Sequence, residues 1–155
     1  FCNDRSIYSG SDGVSTTATT YFGGYRRYVN HNPPLICSNA SNDLFTVENE
    51  DGNQALDYPI GLITVDELML SDLADGYLNK LSYTYSSSHY WTMSPSPFYT
   101  ATTSASVFRA DSTGFANSPF VTNTHGVRPV INLASDVEIS GGIGAANDPY
   151  ILSVE

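Results

Sequence analysis

The sequence predicts an α+β domain with one or two short helices, small antiparallel sheets and long loops. Three observations lead to this prediction. The chain has 155 residues, a length typical of one domain rather than two. It contains 11 Tyr and 7 Phe, an aromatic content that indicates a packed core and not a disordered chain. Its apolar runs are short and separated by turn-forming residues. We therefore expect residues 1–155 to form a single domain.

The first part of the chain predicts loops and short strands. Residues 9–24 are rich in Gly, Ser and Thr and predict a loop. Tyr25–Val29 predicts a short strand, which ends at Asn32-Pro33-Pro34. Residues 49–53 predict a turn, and Tyr58–Ile63 predicts a short buried strand.

One helix is predicted from a capping signal. Thr64 and Glu67 have the Thr-x-x-Glu spacing of a capping box and precede the apolar run that starts at Leu68. Asp66 and Glu67 also place negative charge near the positive end of the helix dipole. We expect the helix to stop near Gly76.

The second half of the chain predicts strands joined by turns. The predicted strands are Ser88–Met93 (ended by Ser94-Pro95-Ser96-Pro97), Ala105–Ala110, Phe115–Val121 as its partner after a turn at residues 111–114, Gly126–Leu133, and Tyr150–Val154. Pro129 predicts a sheet edge or a bulge, because proline cannot donate a ladder hydrogen bond.

The charge balance excludes two classes of partner. The chain carries 16 acidic and 6 basic residues, for a net charge of −10, and Lys80 is its only lysine. Nucleic-acid binding requires a basic face that this composition does not supply. Anionic membrane surfaces are disfavoured for the same reason, and no apolar run is long enough to insert into a membrane.

The two cysteines, Cys2 and Cys37, favour a disulfide over two buried free thiols. Their wide spacing lacks the close pairs of zinc sites. A catalytic thiol stays open, although no His is near either cysteine in the sequence. A disulfide agrees with an extracellular location.

Several stretches, taken in order, resemble a large group of uncharacterised bacterial surface domains. They are residues 1–5 (FCNDR), 61–68 (GLITVDEL), 90–95 (YWTMSP), 105–108 (ASVF), 126–133 (GVRPVINL), 141–144 (GGIG) and 147–150 (NDPY). No single stretch is specific, and the resemblance lies in their joint order over nearly the whole chain.

That group is similar to the C-type-lectin-like fold, in the branch of the formylglycine-generating and sulfatase-modifying enzymes. The matching residues are Leu62, Thr64, Glu67, Trp91 and Gly126-Val127-Arg128, whereas Leu68 replaces an aromatic residue of that pattern. The branch includes the variable proteins of diversity-generating retroelements, whose ligand residues lie just upstream of a similar Val-Arg-Pro stretch. The resemblance therefore implies a C-type-lectin-like fold.

Two departures from the family pattern qualify this expectation. The enzymes of the branch use a late pair of cysteines, and residues 90–133 contain none, so their chemistry is not carried over. Relatives begin with additional strands and a helix. We therefore expect this chain to lack N-terminal elements of the full family domain.

The region from Tyr90 to His125 is the predicted ligand-binding surface. Aromatic rings mixed with small polar side chains give rigid contact area together with adaptable hydrogen bonds. The alternative is an ordinary polar loop region. The predicted ligand-binding residues are Tyr90, Ser94, Ser96, Phe98, Tyr99, Thr100, Phe108, Arg109, Asp111, Asn117, Phe120, Asn123 and His125.

Three side-chain arrangements are expected to be structural. Arg128 follows an apolar residue and needs a partner if it is buried, and the fold resemblance suggests Glu67. Trp91 is expected in the core, with Tyr90 and Thr92 facing outward because strand neighbours alternate. Arg109 and Asp111 are on one side of an extended strand and are expected to form a local ion pair.

No cofactor is predicted, and calcium is the one metal that stays open. The three histidines lack the spacing of transition-metal sites. Glu48, Glu50, Asp51 and Asn53 supply clustered oxygen atoms but not the full calcium-loop spacing, and Asp72 with Asp75 is a weaker cluster. The sequence also lacks a nucleophile elbow and a phosphate loop, so we expect no enzyme.

These observations favour a non-enzymatic recognition or adhesion domain on the surface of a bacterium or a phage. Its expected partner is a protein or glycan of a host or neighbouring cell. The alternative is a structural or assembly module of a surface adhesin, pilus or fibre, in which exposed aromatic residues contact other subunits or domains.

Overall fold

The computed structural model describes residues 1–10, 17–47, 55–73, 78–145 and 147–154. Within these residues the chain is mixed α and β with small antiparallel sheets, which confirms the α+β prediction at this level, and it has three short helices where one or two were expected. The elements are β1 Ile7–Ser9, β2 Tyr21–Phe22, α1 Gly23–Asn30, α2 Ala40–Asp43, β3 Ile60–Leu62, α3 Val65–Leu70, β4 Tyr90–Tyr99, β5 Ser104–Ala110, β6 Ala116–Asn117, β7 Pro129–Ile131, β8 Val137–Gly141 and β9 Ile151–Val154. Among the described residues, no helix is long and apolar enough to cross a membrane.

Four antiparallel sheets organise the described chain. The largest has the strand order β4-β5-β6, and the others are the pairs β1-β2, β3-β7 and β8-β9. Strand β3 pairs with β7 although they are far apart in sequence, with Ile60 opposite Ile131 and Leu62 opposite Pro129. Pro129 thus lies at the start of a two-stranded sheet, as its missing N–H requires.

Helix α3 begins as predicted at the capping box. The Thr64 hydroxyl accepts a hydrogen bond from Glu67 N at 3.1 Å, and the Glu67 carboxylate accepts one from Thr64 N at 2.7 Å. The helix ends at Leu70, earlier than expected, and Ser71 N and Oγ satisfy carbonyls of its last turn. The predicted stop at Gly76 lies outside the described residues.

The prediction of a strand at Tyr25–Val29 is wrong, because these residues belong to helix α1. Gly24 and Tyr28 are four residues apart, so one helical face carries both, and both are buried. The Tyr28 ring packs 4.8 Å from Phe108, and its hydroxyl donates to Ala116 O at 2.7 Å. Tertiary packing of these aromatic residues outweighs their preference for strands.

Strand β4 continues through the Ser-Pro-Ser-Pro segment that we expected to end it. Pro95 is opposite Val107. The N–H of Val107 points away from β4 and donates to Pro119 O, so this position of the β4-β5 ladder requires no backbone hydrogen bond from Pro95. Pro97 falls at a register shift between Ser96 and Phe98. Both prolines therefore occupy positions where the ladder needs no donor.

The other predicted strands are present, and all of them except β5 (Ser104–Ala110, one residue longer) are shorter than expected. Strand β3 is exposed to half-buried rather than buried, because it pairs only with β7 at the margin of the molecule. Strand β6 has two residues and β7 has three, within the longer segments that the sequence predicted. The segment predicted as a loop at residues 9–24 contains β2 and the start of α1, and the predicted turn at residues 49–53 lies outside the described residues.

The core lies between the helices and the inner face of the β4-β5-β6 sheet. Its fully buried side chains include Val65, Leu68 and Leu73 on one side and Phe108 on the other. The inner face of β4 carries Tyr90, which is 4% exposed, so the expected orientation of this strand is inverted. Tyr90 and Thr92 face inward, and Trp91 is half-buried on the outer face.

The N-terminal segment is attached to the body by covalent and ionic links. Cys2 and Cys37 form the predicted disulfide, with Cα atoms 5.4 Å apart. Asp4 is buried and accepts hydrogen bonds from Arg27 of α1 and from Ser94 Oγ of β4. Arg27 also binds Asp66 of α3. One largely buried cation with two carboxylates therefore joins the N-terminal segment, two helices and the main sheet.

Candidate recognition surface

Three side chains lie side by side in a row across the strands, on the outer face of the β4-β5-β6 sheet. Trp91 of β4 is opposite Arg109 of β5, and Arg109 is opposite Asn117 of β6. All three are half-buried, whereas their neighbours along the strands face the core. Strand alternation thus separates a packed inner face from an accessible outer face.

Arg109 is held by three side chains at once. Its Nε donates to Asn117 Oδ1 at 2.7 Å, and its Nη2 donates to Asp111 Oδ2 at 3.0 Å, which confirms the expected local ion pair. Its Nη1 lies 2.8 Å from Nε2 of His125. A guanidinium engaged on three sides loses little further freedom when it contacts a ligand.

Asp111 organises the turn that follows β5. Its Oδ1 accepts hydrogen bonds from the N and Oγ1 of Thr113, at 2.7 and 2.6 Å. Gly114 closes the turn with φ near 99°, and a Cβ there would approach the backbone of Asn79. Burial alone would raise the pKa of Asp111, but the hydrogen bonds from Thr113 and Asn117 outweigh it and hold that pKa below its usual value.

The hydrogen bonds of the two histidines define their tautomers. Nδ1 of His89 accepts from Ser112 N at 3.0 Å, so it carries no proton, and its 3.3 Å contact with Asp111 is not an ion pair in that state. Arg109 can only donate, so Nε2 of His125 accepts and the proton of this ring is on Nδ1. Burial, and then the charge of Arg109, lower the pKa of His125.

Three rings form a continuous row beside these polar groups. The Trp91 ring centroid is 4.5 Å from that of His125, which is 5.2 Å from that of His89. An open depression of about 580 Å³ lies next to them, lined by both histidines together with Ser87, Ser88, Ser112, Thr124 and Gly126. We use the name recognition surface for His89, Trp91, Arg109, Asn117 and His125.

Seven of the thirteen predicted ligand-binding residues are accessible, and the other six are buried. Arg109, Asn117 and His125 belong to the recognition surface, whereas the other accessible members, Tyr99, Thr100, Phe120 and Asn123, lie outside it. The buried members have little or no accessible surface to offer a ligand in this structure, and their role in binding stays a prediction: Tyr90, Ser94, Ser96, Phe98, Phe108 and Asp111. The alternation of burial along β4 and β5 is the physical reason, since about half of any strand on a core faces inward.

His89 and Trp91 are the two members that the sequence-based set of ligand residues missed. The sequence predicts Trp91 in the core, but Trp91 lies opposite Arg109 on the outer face, because strand alternation by itself does not say which face is the inner one. His89 comes just before β4 and meets His125 because Trp91 N donates to Gly126 O at 3.0 Å. Gly126 N also donates to His89 O at 2.9 Å, and these two long-range hydrogen bonds bring the two histidines together.

A second group of aromatic residues combines predicted and unexpected members. The rings of Tyr99 and Phe120 are 6.1 Å apart, and those of Tyr21 and Tyr25 are 5.2 Å apart. Burial raises the pKa of Tyr99, with a smaller effect from the neighbouring Tyr25 and Tyr21. The sequence signal that could have identified Tyr21 and Tyr25 is the density of tyrosine at residues 8–28, a segment for which the sequence analysis predicts a loop and a strand.

The expected pair between Arg128 and Glu67 does not form. Arg128 donates from Nη1 to Thr84 O at 2.9 Å and from Nη2 to Tyr83 O at 3.3 Å, and its guanidinium lies 5.4 Å from the Tyr90 ring centroid. Glu67 is engaged by the backbone and hydroxyl of Thr64. Carbonyl acceptors therefore satisfy Arg128, and the helix cap uses Glu67.

The acidic groups near the disulfide do not make a metal site. Among the described residues, Cys2, Asp4 and Asp43 are the one group whose ligand atoms are close enough for a metal ion. However, the Cys2 sulfur is in the disulfide, Asp4 pairs with Arg27, and Asp43 accepts from Ser6 N at 2.9 Å. The calcium candidates at residues 48–53 and Asp75 lie outside the described residues.

Comparisons with family models, curated proteins and solved structures found no match to this chain. Its function is therefore inferred from its own geometry.

Proposed function

We propose that this chain is a non-enzymatic, extracellular recognition domain of the C-type-lectin-like fold that binds a carbohydrate through its recognition surface. The observation that supports it most is the row of Trp91, His125 and His89 rings beside the fixed guanidinium of Arg109. Sugar rings present C–H faces that stack on an aromatic ring and hydroxyls that bond to amide, imidazole and guanidinium groups. A protein ligand is the second outcome that the test distinguishes.

Rigidity is what makes this surface suited to recognition. Arg109 has three side-chain partners, and Asp111 anchors both Arg109 and Asn117 from the turn. Preorganised polar groups reduce the entropy lost on binding, so weak individual contacts add up more effectively. The disulfide is consistent with the oxidising environment of extracellular proteins.

The sole tryptophan of the chain gives a site-specific test. Trp91 fluorescence is titrated with a panel of mono- and oligosaccharides and, separately, with purified cell-surface proteins. We expect a saturable change with one glycan class, and calorimetry should show that Trp91→Phe retains part of the binding. Trp91→Ala and His125→Ala should each weaken binding at least about tenfold, which corresponds to loss of one stacking contact of about 1.4 kcal/mol.

Tyr58→Ala is the matched control, because Tyr58 is 71% exposed and lies outside the recognition surface. It should bind like the unaltered protein. Binding that survives Trp91→Ala would place the ligand elsewhere and refute this surface. Saturable binding of a purified protein, with no response to any glycan, would replace the carbohydrate proposal by a protein ligand.

A further inference from the structure

A small cavity lies between the start of helix α3, the β3-β7 pair and the segment that precedes β4. It has a volume of about 250 Å³, and its apolar lining includes Ile63, Tyr90 and Val130. Pockets for drug-sized ligands span roughly 300–1,000 Å³, so this cavity has the size for a smaller molecule. It shares no residue with the recognition surface, so a ligand in this cavity is independent of the proposed function.

Two opposite charges line this cavity without forming an ion pair. Glu67 of α3 and Arg128, which comes just before β7, are both exposed and are both lining residues. The ion pairs of the described residues join other side chains, so neither of these two charges is neutralised by a salt bridge. The cavity therefore presents one negative and one positive group that a ligand can reach.

Arg128 is held in place by uncharged groups. Its Nη1 and Nη2 donate to the carbonyl oxygens of Thr84 and Tyr83, and its guanidinium lies 5.4 Å from the centroid of the Tyr90 ring. A carbonyl oxygen accepts a hydrogen bond but carries no full charge, and a guanidinium has five N–H donors. Arg128 therefore keeps its positive charge and further donors for a ligand, and a carboxylate is a preferred partner of such a group.

Glu67 is oriented by the cap of helix α3. Its Oε2 accepts a hydrogen bond from Thr64 N at 2.7 Å and another from Thr64 Oγ1 at 2.9 Å. Its Oε1 has no hydrogen-bond partner among the described residues. An ammonium group fits this oxygen, because it brings a positive charge together with three N–H donors.

We propose that this cavity binds a small amino acid in its zwitterionic form. Its carboxylate contacts Arg128, its ammonium group contacts Glu67, and its carbon skeleton lies against the apolar lining. The net charge of −10 favours this ligand class, because an anion is repelled by the acidic chain and a zwitterion is neutral overall. A simple cation would leave the positive charge of Arg128 without a partner.

Two probes with different charge spacing test the cavity on the full chain. L-Leucine carries its ammonium and carboxylate on one carbon atom, and ε-aminocaproate carries them at the two ends of an aliphatic chain. We expect calorimetry to show that one of the two binds with a Kd below about 1 mM. The same probe should shift the backbone amide signals of Thr84 and Val130, which border the cavity.

Chemical variants of the bound probe test each charge without changing the protein. N-acetylation removes the positive charge of the probe, and amidation of its carboxylate removes the negative charge. Each change should weaken binding at least about tenfold. Equal binding of the probe and its N-acetyl form would overturn the inference, and so would equal binding of the probe and its amide.

Glu67→Gln separates the recognition of the ammonium group from folding. Glutamine also completes a capping box, so the start of α3 is kept while the negative charge is lost. The variant should bind the zwitterionic probe at least about tenfold more weakly, and its preference for the probe over the N-acetyl form should disappear. Glu138→Gln, at an exposed residue of β8 outside the cavity, is the matched control and should bind like the unaltered protein.

Arg128→Met tests the contact with the carboxylate. Its preference for the probe over the amide should disappear, whereas Arg26→Met, at an exposed arginine outside the cavity, should keep that preference. If Arg128→Met fails to fold, the comparison of probe and amide on the unaltered protein still tests this contact. The inference would be overturned if neither probe bound, or if Glu67→Gln kept the full preference for the zwitterion. Amide shifts confined to the recognition surface would overturn it as well.

Discussion

Arg27 and Asp66 are joined by a forked ion pair inside the molecule. Arg27 Nε donates to Asp66 Oδ1 at 3.0 Å, and Nη2 donates to Oδ2 at 2.6 Å. The same Nη2 binds Asp4, so one guanidinium neutralises carboxylates from two distant parts of the chain. Its arrangement links helices α1 and α3 to the N-terminal segment, and Ser94 Oγ extends it to the main sheet at 3.1 Å.

Loss of Arg27 should leave two uncompensated carboxylates in a nearly dry site. We expect Arg27→Met to lower the free energy of unfolding at pH 7 by about 3–5 kcal/mol, measured by urea denaturation. Arg26→Met, at the exposed neighbouring position, is the control and should cost less than about 1 kcal/mol. Equal losses in the two variants would refute a structural role for the network.

The same network predicts a pH dependence. Burial, and then repulsion by Asp66, raise the pKa of Asp4 above its usual value of 3.8 despite the opposing effect of Arg27. The folded state therefore binds this proton more readily than the unfolded state, so the ionised form of Asp4 lowers stability at neutral pH. In Arg27→Met, the stability deficit should shrink as the pH falls from 7 towards about 4, because a carboxyl group becomes neutral. A deficit that is constant over this range would contradict the charge-based explanation.

Trp91 fluorescence should report the protonation of His125. The ring centroids are 4.5 Å apart with the rings tilted by 56°, and a protonated imidazole quenches the fluorescence of an indole in contact with it. Because burial and the charge of Arg109 lower the pKa of His125, the quenching midpoint should fall below the usual value of 6.5. His125→Asn should abolish the transition, whereas His31→Asn, at an exposed helix end, should preserve it. A midpoint above 6.5 would show that the Arg109 contact is not maintained in solution.

Asp111 should stabilise the fold most strongly in its ionised form. We expect Asp111→Asn to lower the free energy of unfolding at pH 7 by about 1–3 kcal/mol, because a charge-assisted bond to Arg109 becomes neutral. A lowered folded pKa means that this contribution is present above the unfolded pKa and is lost as pH falls through the folded value. The difference between the variant and the unaltered protein, measured by thermal unfolding, should therefore narrow below about pH 4. If the difference in stability between the variant and the unaltered protein widened as the pH falls, the pKa of Asp111 would be raised on folding and not lowered.

Two buried hydroxyl groups on the main sheet should lower the free energy of unfolding. Ser96 and Ser106 are opposite each other on β4 and β5, and neither Oγ has a hydrogen-bond partner among the described residues. We expect Ser106→Ala to raise the free energy of unfolding by about 1 kcal/mol, since it removes an unsatisfied buried polar atom. Ser104→Ala, at a half-buried residue of the same strand whose hydroxyl bonds Thr102 O, should not raise it. A loss of stability in Ser106→Ala would mean that the hydroxyl has a partner after all.

Local signals in the sequence were sufficient for several elements. The capping box at Thr64 and Glu67 specifies the start of α3, because both hydrogen bonds lie within one turn. The alternating pattern of β5, the turn at Asp111 and the C-terminal strand follow from contacts between near neighbours. The disulfide was also accessible, because the chain has just two cysteines to pair, and so was the Arg109–Asp111 pair, because residues two apart share one side of a strand.

Long-range packing determined the elements and contacts that the sequence did not predict correctly. Residues Tyr25–Val29 became helical because Tyr28 fills a space against Phe108, and the prolines of β4 were accommodated by register shifts set by β5. Arg128 binds the carbonyl oxygens of residues 83 and 84 rather than Glu67, because those carbonyls lie within reach in the folded chain.

At the recognition surface too, some features follow from the local sequence and others from long-range packing. The sequence by itself determined which chemical groups were present between Tyr90 and His125, because composition and strand periodicity are local properties. Only the tertiary structure decided which of them reach the surface, because the pairing of β4 with β5 turns Trp91 outward and Phe108 inward. It also brought His89 to His125 through the two backbone hydrogen bonds that Gly126 makes with Trp91 and His89, because these residues are far apart in the sequence and meet only in the folded chain.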